Sequence, residues 1–194
     1  MSYSQGDEER WILKHTPQEG RFLDIGAWQA KQFSNTRALY ERGWSGVMVE
    51  PSPMPMHGLL EEYGNDPRIV LIQAAVGLDN NFVRLAVTQD AVSTTQPSWE
   101  RRWKEEGGFY GSMYVLTITL NDVFLKFGGG FDFVNIDTEG TSVECLKAIL
   151  AIGVHPQCIC FEHDRRFAES FAHFDAIGYK LVHENDTNRV VALR

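Results

Sequence analysis

Acidic side chains recur where apolar runs of this chain end, and those positions carry its chemistry. Asp24 lies in FLDIGA (Phe22 to Ala27), and Glu50 closes GVMVE (Gly46 to Glu50). Asp137 and Glu139 follow FDFVNI, and Glu162, His163 and Asp164 end CICFEHD (Cys158 to Asp164). An acid placed after a second strand accepts both hydroxyls of a ribose, so Glu50 points to a nucleoside-type cofactor. The run from Phe22 to Pro51 reads as apolar stretch, Gly turn at Gly26, amphipathic stretch, apolar stretch and acid, the order of a strand, helix and strand unit. In open parallel sheets, ligands bind at the carboxyl ends of such strands. The other reading of Glu50 is a solvated residue before the turn cluster Pro51, Pro53 and Pro55.

The second acid group suits proton transfer. Asp137, Glu139 and His163 are the catalytic candidates, because acids gathered around one imidazole can take a proton from a reacting hydroxyl. Acid neighbours raise a His pKa and burial lowers it, so the choice of base stays open between His163 and Glu139. The same oxygens suit a hard divalent cation, with Asp137, Glu162 and Asp164 as the candidate ligands for Mg²⁺. Alternatively, Asp137 and Asp164 cap the helices they precede, a common task for Asp. His15, His57, His155, His173 and His183 lack comparable surroundings and read as surface or packing residues.

The elements that must position these groups follow from periodicity and punctuation. Asp7 to His15 predicts a lead-in helix, Phe22 to Ile25 a first strand, and Ala30 to Arg42 a helix stopped by Gly43. Gly46 to Glu50 is a second strand, Met56 to Tyr63 a helix, and IVLIQAA (Ile69 to Ala75) a third strand whose continuous apolar character suits burial on both faces. Phe82 to Val87 reads as a strand. Thr88 to Met113 is rich in Ser, Thr, Gly and charge; its aromatics Trp99, Trp103, Phe109 and Tyr110 favour a lid or acceptor-binding insert over a plain surface loop. Beyond it come a helix (Thr119 to Phe127), a fourth parallel strand (Phe131 to Asp137) and a helix (Gly140 to Ile152). A fifth strand (Cys158 to Asp164) and a helix carrying Phe167, Phe171 and Phe174 follow. YKLVHE and RVVAL flank Asn185 to Asn188, a turn short enough to force antiparallel pairing.

Composition bounds the rest. The 194 residues, 43% of them hydrophobic, can bury one sizeable core, and a single domain over residues 1–194 is the expectation. A net charge of −8 opposes a phosphate-tracking surface, so nucleic acid is a disfavoured partner. The dense basic run Arg101, Arg102 and Lys104 is balanced by Glu100, Glu105 and Glu106. The odd set Cys145, Cys158 and Cys160 gives neither a disulfide framework nor a zinc spacing. The start, MSYSQGDEERW, has acids where a secretory signal needs basic and then apolar residues, and no run reaches membrane-spanning length. A cytoplasmic protein is expected, and oligomeric state is not legible.

Sheet class and turn narrow the cofactor. A doubly wound, mostly parallel seven-stranded α/β sheet of Rossmann-like type, ending in an antiparallel hairpin, is the arrangement of class I methyltransferases. A dinucleotide fingerprint wants G-x-G-x-x-G to admit a pyrophosphate. Here Gly26 is followed by Ala27, Trp28, Gln29 and Ala30, which leaves little room for one.

Four segments then resemble, in order, the FkbM-type family of S-adenosylmethionine-dependent methyltransferases: FLDIGA with SNT (Ser34 to Thr36), GWSGVMVEPSP (Gly43 to Pro53), AAVG (Ala74 to Gly77) and FDFVNIDTEG (Phe131 to Gly140). The resemblance implies S-adenosylmethionine held by Asp24, Gly26, Ala27, Glu50, Pro51, Ala75, Val76 and Asp137. Asp24 and Gly26 would lie near the methionine part, Glu50 on the ribose, and Val76 and Gly77 beside the adenine. Asp137 and Glu139 would face the reacting centre. It implies an O-methyltransferase acting on a small-molecule or saccharide-like hydroxyl. The macrocin O-methyltransferase-like enzymes look similar in pairing strand-end acids with a metal. Family members often carry Asn, Asp and Gly where this chain has Trp28, Gln29 and Ala30, and an acid where it has Ser142. Those departures raise the alternative of a non-catalytic module with the same fold; a nicotinamide-dependent oxidoreductase is a second alternative, which the missing Gly pattern opposes.

Overall fold

The computed structural model describes residues 2–88, 91–106, 109–164, 166, 174 and 177–194, with Phe109 and Tyr110 described by their backbone alone. In chain order the elements are α1 (Glu8–His15), β1 (Arg21–Ile25), α2 (Arg37–Glu41), β2 (Ser45–Val49), α3 (Pro53–Tyr63), β3 (Ile69–Ile72), β4 (Ala75–Gly77) and β5 (Phe82–Thr88). Then come α4 (Pro97–Glu105), β6 (Phe109–Thr119), α5 (Leu120–Phe127), β7 (Phe133–Ile136), α6 (Ser142–Ile152), β8 (Cys158–Glu162), β9 (Tyr179–Glu184) and β10 (Asn188–Leu193).

Seven strands form one sheet in the order β3-β2-β1-β7-β8-β10-β9. The first five are parallel, while β10 runs antiparallel to β8 and β9 antiparallel to β10. Alternation along each strand splits the core between two faces. Leu23, Ile25, Val134, Ile136, Ile159 and Phe161 pack against α5 and α6 through Val123, Phe124, Leu146 and Ile149. On the other face Phe22, Met48, Phe133 and Cys158 pack against Ile12 of α1, Leu39 of α2 and Leu59 of α3. Parallel strands end together, so this covering of both faces brings the carboxyl ends of β1, β2, β7 and β8 to one rim.

Several expectations change. The helix expected from Ala30 is only Arg37–Glu41. Residues 30 to 36 stay irregular because Asn35 and Thr36 turn their side chains inward to Asn135 and Asp24, bonds that compete with helical backbone pairing. The apolar run Ile69 to Ala75 divides between two sheets. Its first part, β3, is an edge strand with Val70 exposed, rather than a strand buried on both faces. Its end, β4, pairs in parallel with β6 in a second, three-stranded sheet of order β4-β6-β5.

The segment Thr88 to Met113, expected to be irregular, contains α4 and the first half of β6. Helix α4 starts with Pro97, carries Glu100 in its first turn and Arg102 and Lys104 in its last, and adds a Lys104–Glu100 ion pair at 2.8 Å. Strand β6 pairs antiparallel with β5, Leu85 opposite Met113. Its alternation is masked in the sequence by Tyr114 and Leu116, which are apolar but exposed, between the buried Val115 and Thr117. The helix expected on Phe167 and Phe171 lies outside the described residues. Phe174 is buried against Phe161 and Tyr179.

Candidate active site

One cavity of about 380 Å³ runs along the rim of the large sheet. Asp24, Gly26, Ala27, Glu50, Pro51, Ala75 and Val76 line it, and so do Asp137, Glu139, Glu162, His163 and Asp164. Every candidate site residue therefore borders the same space; Gly77 is not among the lining residues.

At the first end, strand register builds a buried polar row. Asp24 of β1 lies opposite Asn135 of β7, which lies opposite Cys160 of β8, all on the face that α1 to α3 cover. Asp24 Oδ1 accepts from Asn135 Nδ2 at 2.9 Å, and Oδ2 accepts from the Thr36 hydroxyl at 2.6 Å. Asn35 Nδ2 donates to Asn135 Oδ1 at 2.9 Å, and the Ser4 hydroxyl donates to Asn35 Oδ1 at 2.7 Å. Burial raises the Asp24 pKa, against the lowering effect of its two donors. Asn135 was legible as a polar residue inside the apolar run FDFVNI.

Gly26 turns the chain at φ +83°, where its N–H donates to the Val49 carbonyl at 2.9 Å. A Cβ on it would stand 1.7 Å from the Asp137 carbonyl oxygen. The glycine is demanded by the close approach of β1 and β7, independently of any ligand. Trp28 follows at φ 45° and stacks on Phe33, ring centroids 5.5 Å apart. Its N–H donates to Glu50 Oε2 at 3.0 Å, and the Ser52 N–H donates to Oε1 at 2.7 Å. Burial raises the Glu50 pKa, partly countered by these two N–H groups. Each carboxylate oxygen has two lone-pair sites, so both retain capacity for ligand hydroxyls after the backbone bonds are made. Ala75 and Val76 of β4 and Leu85 of β5 supply an apolar wall. An acid able to take a diol beside an apolar wall fits an adenosine group.

The second end is acidic and covered. Burial raises Asp137 to about 7, aided by the charges of Asp164 and Asp24. Burial and then the charge of Asp137 raise Glu139 to about 9. Burial followed by the charges of Asp137, Glu139 and Asp164 raises Glu162 to about 11. One carboxylate oxygen from each of Asp137, Glu139 and Glu162 lies within 4.8 Å of the others. Glu139 Oε2 and Glu162 Oε2 are buried with no hydrogen-bond partner among the described residues.

Asp164 differs from the other three. Its Oδ1 accepts from the Gly140 N–H at 3.0 Å and its Oδ2 from the Val143 N–H at 3.3 Å. It caps α6, the helix after β7, while the helix expected after it lies outside the described residues. Ser142, where an acid was expected, accepts from the Thr138 N–H at 3.0 Å and closes the same turn. His163 Nε2 sits 3.4 Å from the Asn185 carbonyl oxygen; an N–H donated there places the imidazole lone pair on Nδ1.

Helix α4 covers this end. The Trp99 indole lies so close over Gly140 that a Cβ there would meet it at 2.5 Å, and the Thr94 hydroxyl donates to the Glu139 carbonyl at 2.6 Å. Arg102 stacks over Trp99 and Trp103, 5.1 and 4.6 Å from their ring centroids, and all three line the cavity. Arg102 was missed because the nearby glutamates made it read as neutralised surface charge. Thr187 and Asn188 of the C-terminal hairpin also line the cavity and were missed. Their turn is fixed by Glu8, whose Oε1 accepts from Asn185 Nδ2 at 2.7 Å and Asn188 Nδ2 at 3.0 Å, contacts between residues at opposite ends of the sequence.

Solved structures share the fold. The chain matches the putative methyltransferase yhhF from Escherichia coli with a TM-score of 0.53 and 12% identity, over 100% of this chain and 89% of that one. A protein of the NADB-Rossmann superfamily from Streptococcus agalactiae matches at 0.52 and 13%, over 100% and 70%. Sp1610 of Streptococcus pneumoniae, described as a putative tRNA (m1A22) methyltransferase and solved with S-adenosyl-L-methionine, matches at 0.50 and 14%, over 97% and 72%. The sequence matches no curated protein. No helix among the described residues is long and apolar enough to cross a membrane. Residues 24–183 match the methyltransferase FkbM domain, a span that takes in both ends of the cavity, and the chain belongs to that family of S-adenosylmethionine-dependent methyltransferases.

Proposed function

We propose that this protein transfers a methyl group from S-adenosylmethionine to a hydroxyl of a small or saccharide-like acceptor. The observation that carries the reading is the continuity of one cavity from Glu50 to the acids under Trp99 and Trp103. When bound, the sulfonium supplies an activated methyl whose C–S bond breaks as the C–O bond forms. The chain's own work is alignment and proton removal. Glu50 and the Trp28 turn hold the ribose, and Ala75 and Val76 bear on the adenine. Asp137, the acid of this end that titrates nearest neutrality, receives the hydroxyl proton. The aromatic cover of α4 suits the apolar face of a sugar ring and excludes water. The net charge of −8 weighs against an RNA acceptor. Three unpaired, buried cysteines suit the reducing cytosol.

The test pairs binding with turnover. S-adenosylmethionine and S-adenosylhomocysteine are expected to raise the melting temperature, and a panel of sugar, lipid, peptide and natural-product hydroxyls, with RNA as comparison, to reveal an O-methylated product by mass spectrometry. No thermal response to either ligand would sink the proposal. Binding without transfer to any acceptor would favour a non-catalytic module, and stabilisation by NAD alone would favour an oxidoreductase.

A further inference from the structure

We infer that the strap of residues 3–8 closes the cavity over the amino-acid group of S-adenosylmethionine, and that the Gln5 side-chain amide donates to the carboxylate of that group. The strap precedes residues 24–183, so the family match does not account for it. This deepens the methyltransferase reading and rests on it. A sulfonium carries three arms. The proposed function gives the adenosyl arm to Glu50, Ala75 and Val76, and it turns the methyl toward Asp137. The third arm, an amino acid, needs a polar reach of its own. The cavity has one, where Gln5, Ser34, Asn35 and Asn188 line it.

The strap is tied into this reach from two sides. On one, the Ser34 N–H donates to the Tyr3 carbonyl at 3.1 Å, and the hydroxyl of the buried Ser4 donates to Asn35 Oδ1 at 2.7 Å. On the other, the buried Glu8 accepts from the Gly6 N–H at 2.8 Å through Oε2. Its Oε1 accepts from Asn185 Nδ2 at 2.7 Å and Asn188 Nδ2 at 3.0 Å. The strap therefore bridges the loop after β1 and the turn between β9 and β10, and Gln5 stands between the two anchors. Gln5 is exposed, borders the cavity and makes no hydrogen bond among the described residues. An amide with both N–H groups uncommitted, on a backbone pinned at either side, is a donor held ready for a ligand.

The charges of the amino acid divide over this reach. Asp24, also lining the cavity, offers carboxylate oxygens to the ammonium. The carboxylate needs donors instead. Arg102 is the lysine-or-arginine cation among the described lining residues, and it stacks on Trp99 and Trp103 over the acidic end. Neutral donors are left to the carboxylate, and Gln5 supplies the uncommitted ones.

Calorimetry on the full chain compares S-adenosylhomocysteine with 5′-methylthioadenosine, which keeps the adenosyl arm and lacks the amino acid. Gln5→Ala is expected to weaken S-adenosylhomocysteine roughly five- to tenfold and to leave 5′-methylthioadenosine unchanged. Gln5→Glu sets one carboxylate against another and is expected to weaken S-adenosylhomocysteine further. Unchanged S-adenosylhomocysteine affinity in Gln5→Ala overturns the inference. An equal loss for both ligands also overturns it, because the strap would then be a general support. Tighter binding in Gln5→Glu than in Gln5→Ala puts the ammonium at this position and overturns the carboxylate role. A parent protein that does not bind S-adenosylhomocysteine overturns the methyltransferase reading itself.

Discussion

Glu50 and Glu139 are both buried glutamates beyond the ends of parallel strands, and both border the same cavity. Glu50 has each oxygen pinned by a backbone N–H before any ligand arrives. Glu139 has an oxygen with no partner among the described residues and a strained backbone at φ 51°. The first is held ready for hydroxyls in a fixed geometry, at little reorganisation cost. The second has no backbone N–H to fix it among the described residues and faces the Trp103 indole and neighbouring acids. On the proposed function, the contrast separates a preformed recognition end from a reactive end rich in protonated acids.

The strongest way to break the contrast is Glu50→Ala. Removing a charged acceptor from a buried site costs about 1.5–3 kcal/mol per hydrogen bond, roughly 10- to 100-fold in affinity. S-adenosylhomocysteine binding, followed by calorimetry, is expected to fall by at least that much. Unchanged affinity would break the assignment of Glu50 to the ribose. A smaller effect is expected from Asn135→Leu, which strips one donor from Asp24 and the acceptor from Asn35. Stability should drop by about 1–3 kcal/mol in urea unfolding, and a neutral result would mean the polar row is dispensable.

The recognition end was the more legible of the two in sequence. Its residues sit within one strand, helix and strand unit, where local order places an acid after a turn. Gly26 was seen, although its reason, the Asp137 carbonyl packed against it, belongs to a strand more than a hundred residues away and only a fold supplies it. The reactive end depends on such distant meetings throughout. Asp164 reads from sequence only as a cap for the helix after it, whereas β8 lies beside β7 and brings it onto the α6 N–H groups as well. Strand β3 looked buried because apolar content does not reveal an edge. The cover was legible only in its aromatics, because exposed Tyr114 and Leu116 hid the alternation of β6.

The smallest expected effect sharpens the electrostatic side of the contrast. Burial and then neighbouring charge raise Asp137 to about 7 and Glu139 to about 9. Acids with raised folded-state pKa values add stability below their unfolded values, near 4, and that contribution is lost as pH rises through the folded ones. In EDTA the melting temperature should therefore decline by a few degrees between about pH 5 and pH 9. Glu139→Gln should flatten the decline. A melting temperature that rises over this range would refute the assignment.

Strand β6 gives the molecule a shared lever. It pairs along one edge with β4, whose Ala75 and Val76 face the first end of the cavity, and along the other with β5, whose Arg84 holds Glu100 of α4 at 2.6 Å. The apolar wall of the cavity and the helix that covers its acidic end thus hang from a single beam. On the proposed function, a displacement of β4 by an adenine would reach α4 through β6 and β5 without passing through the large sheet.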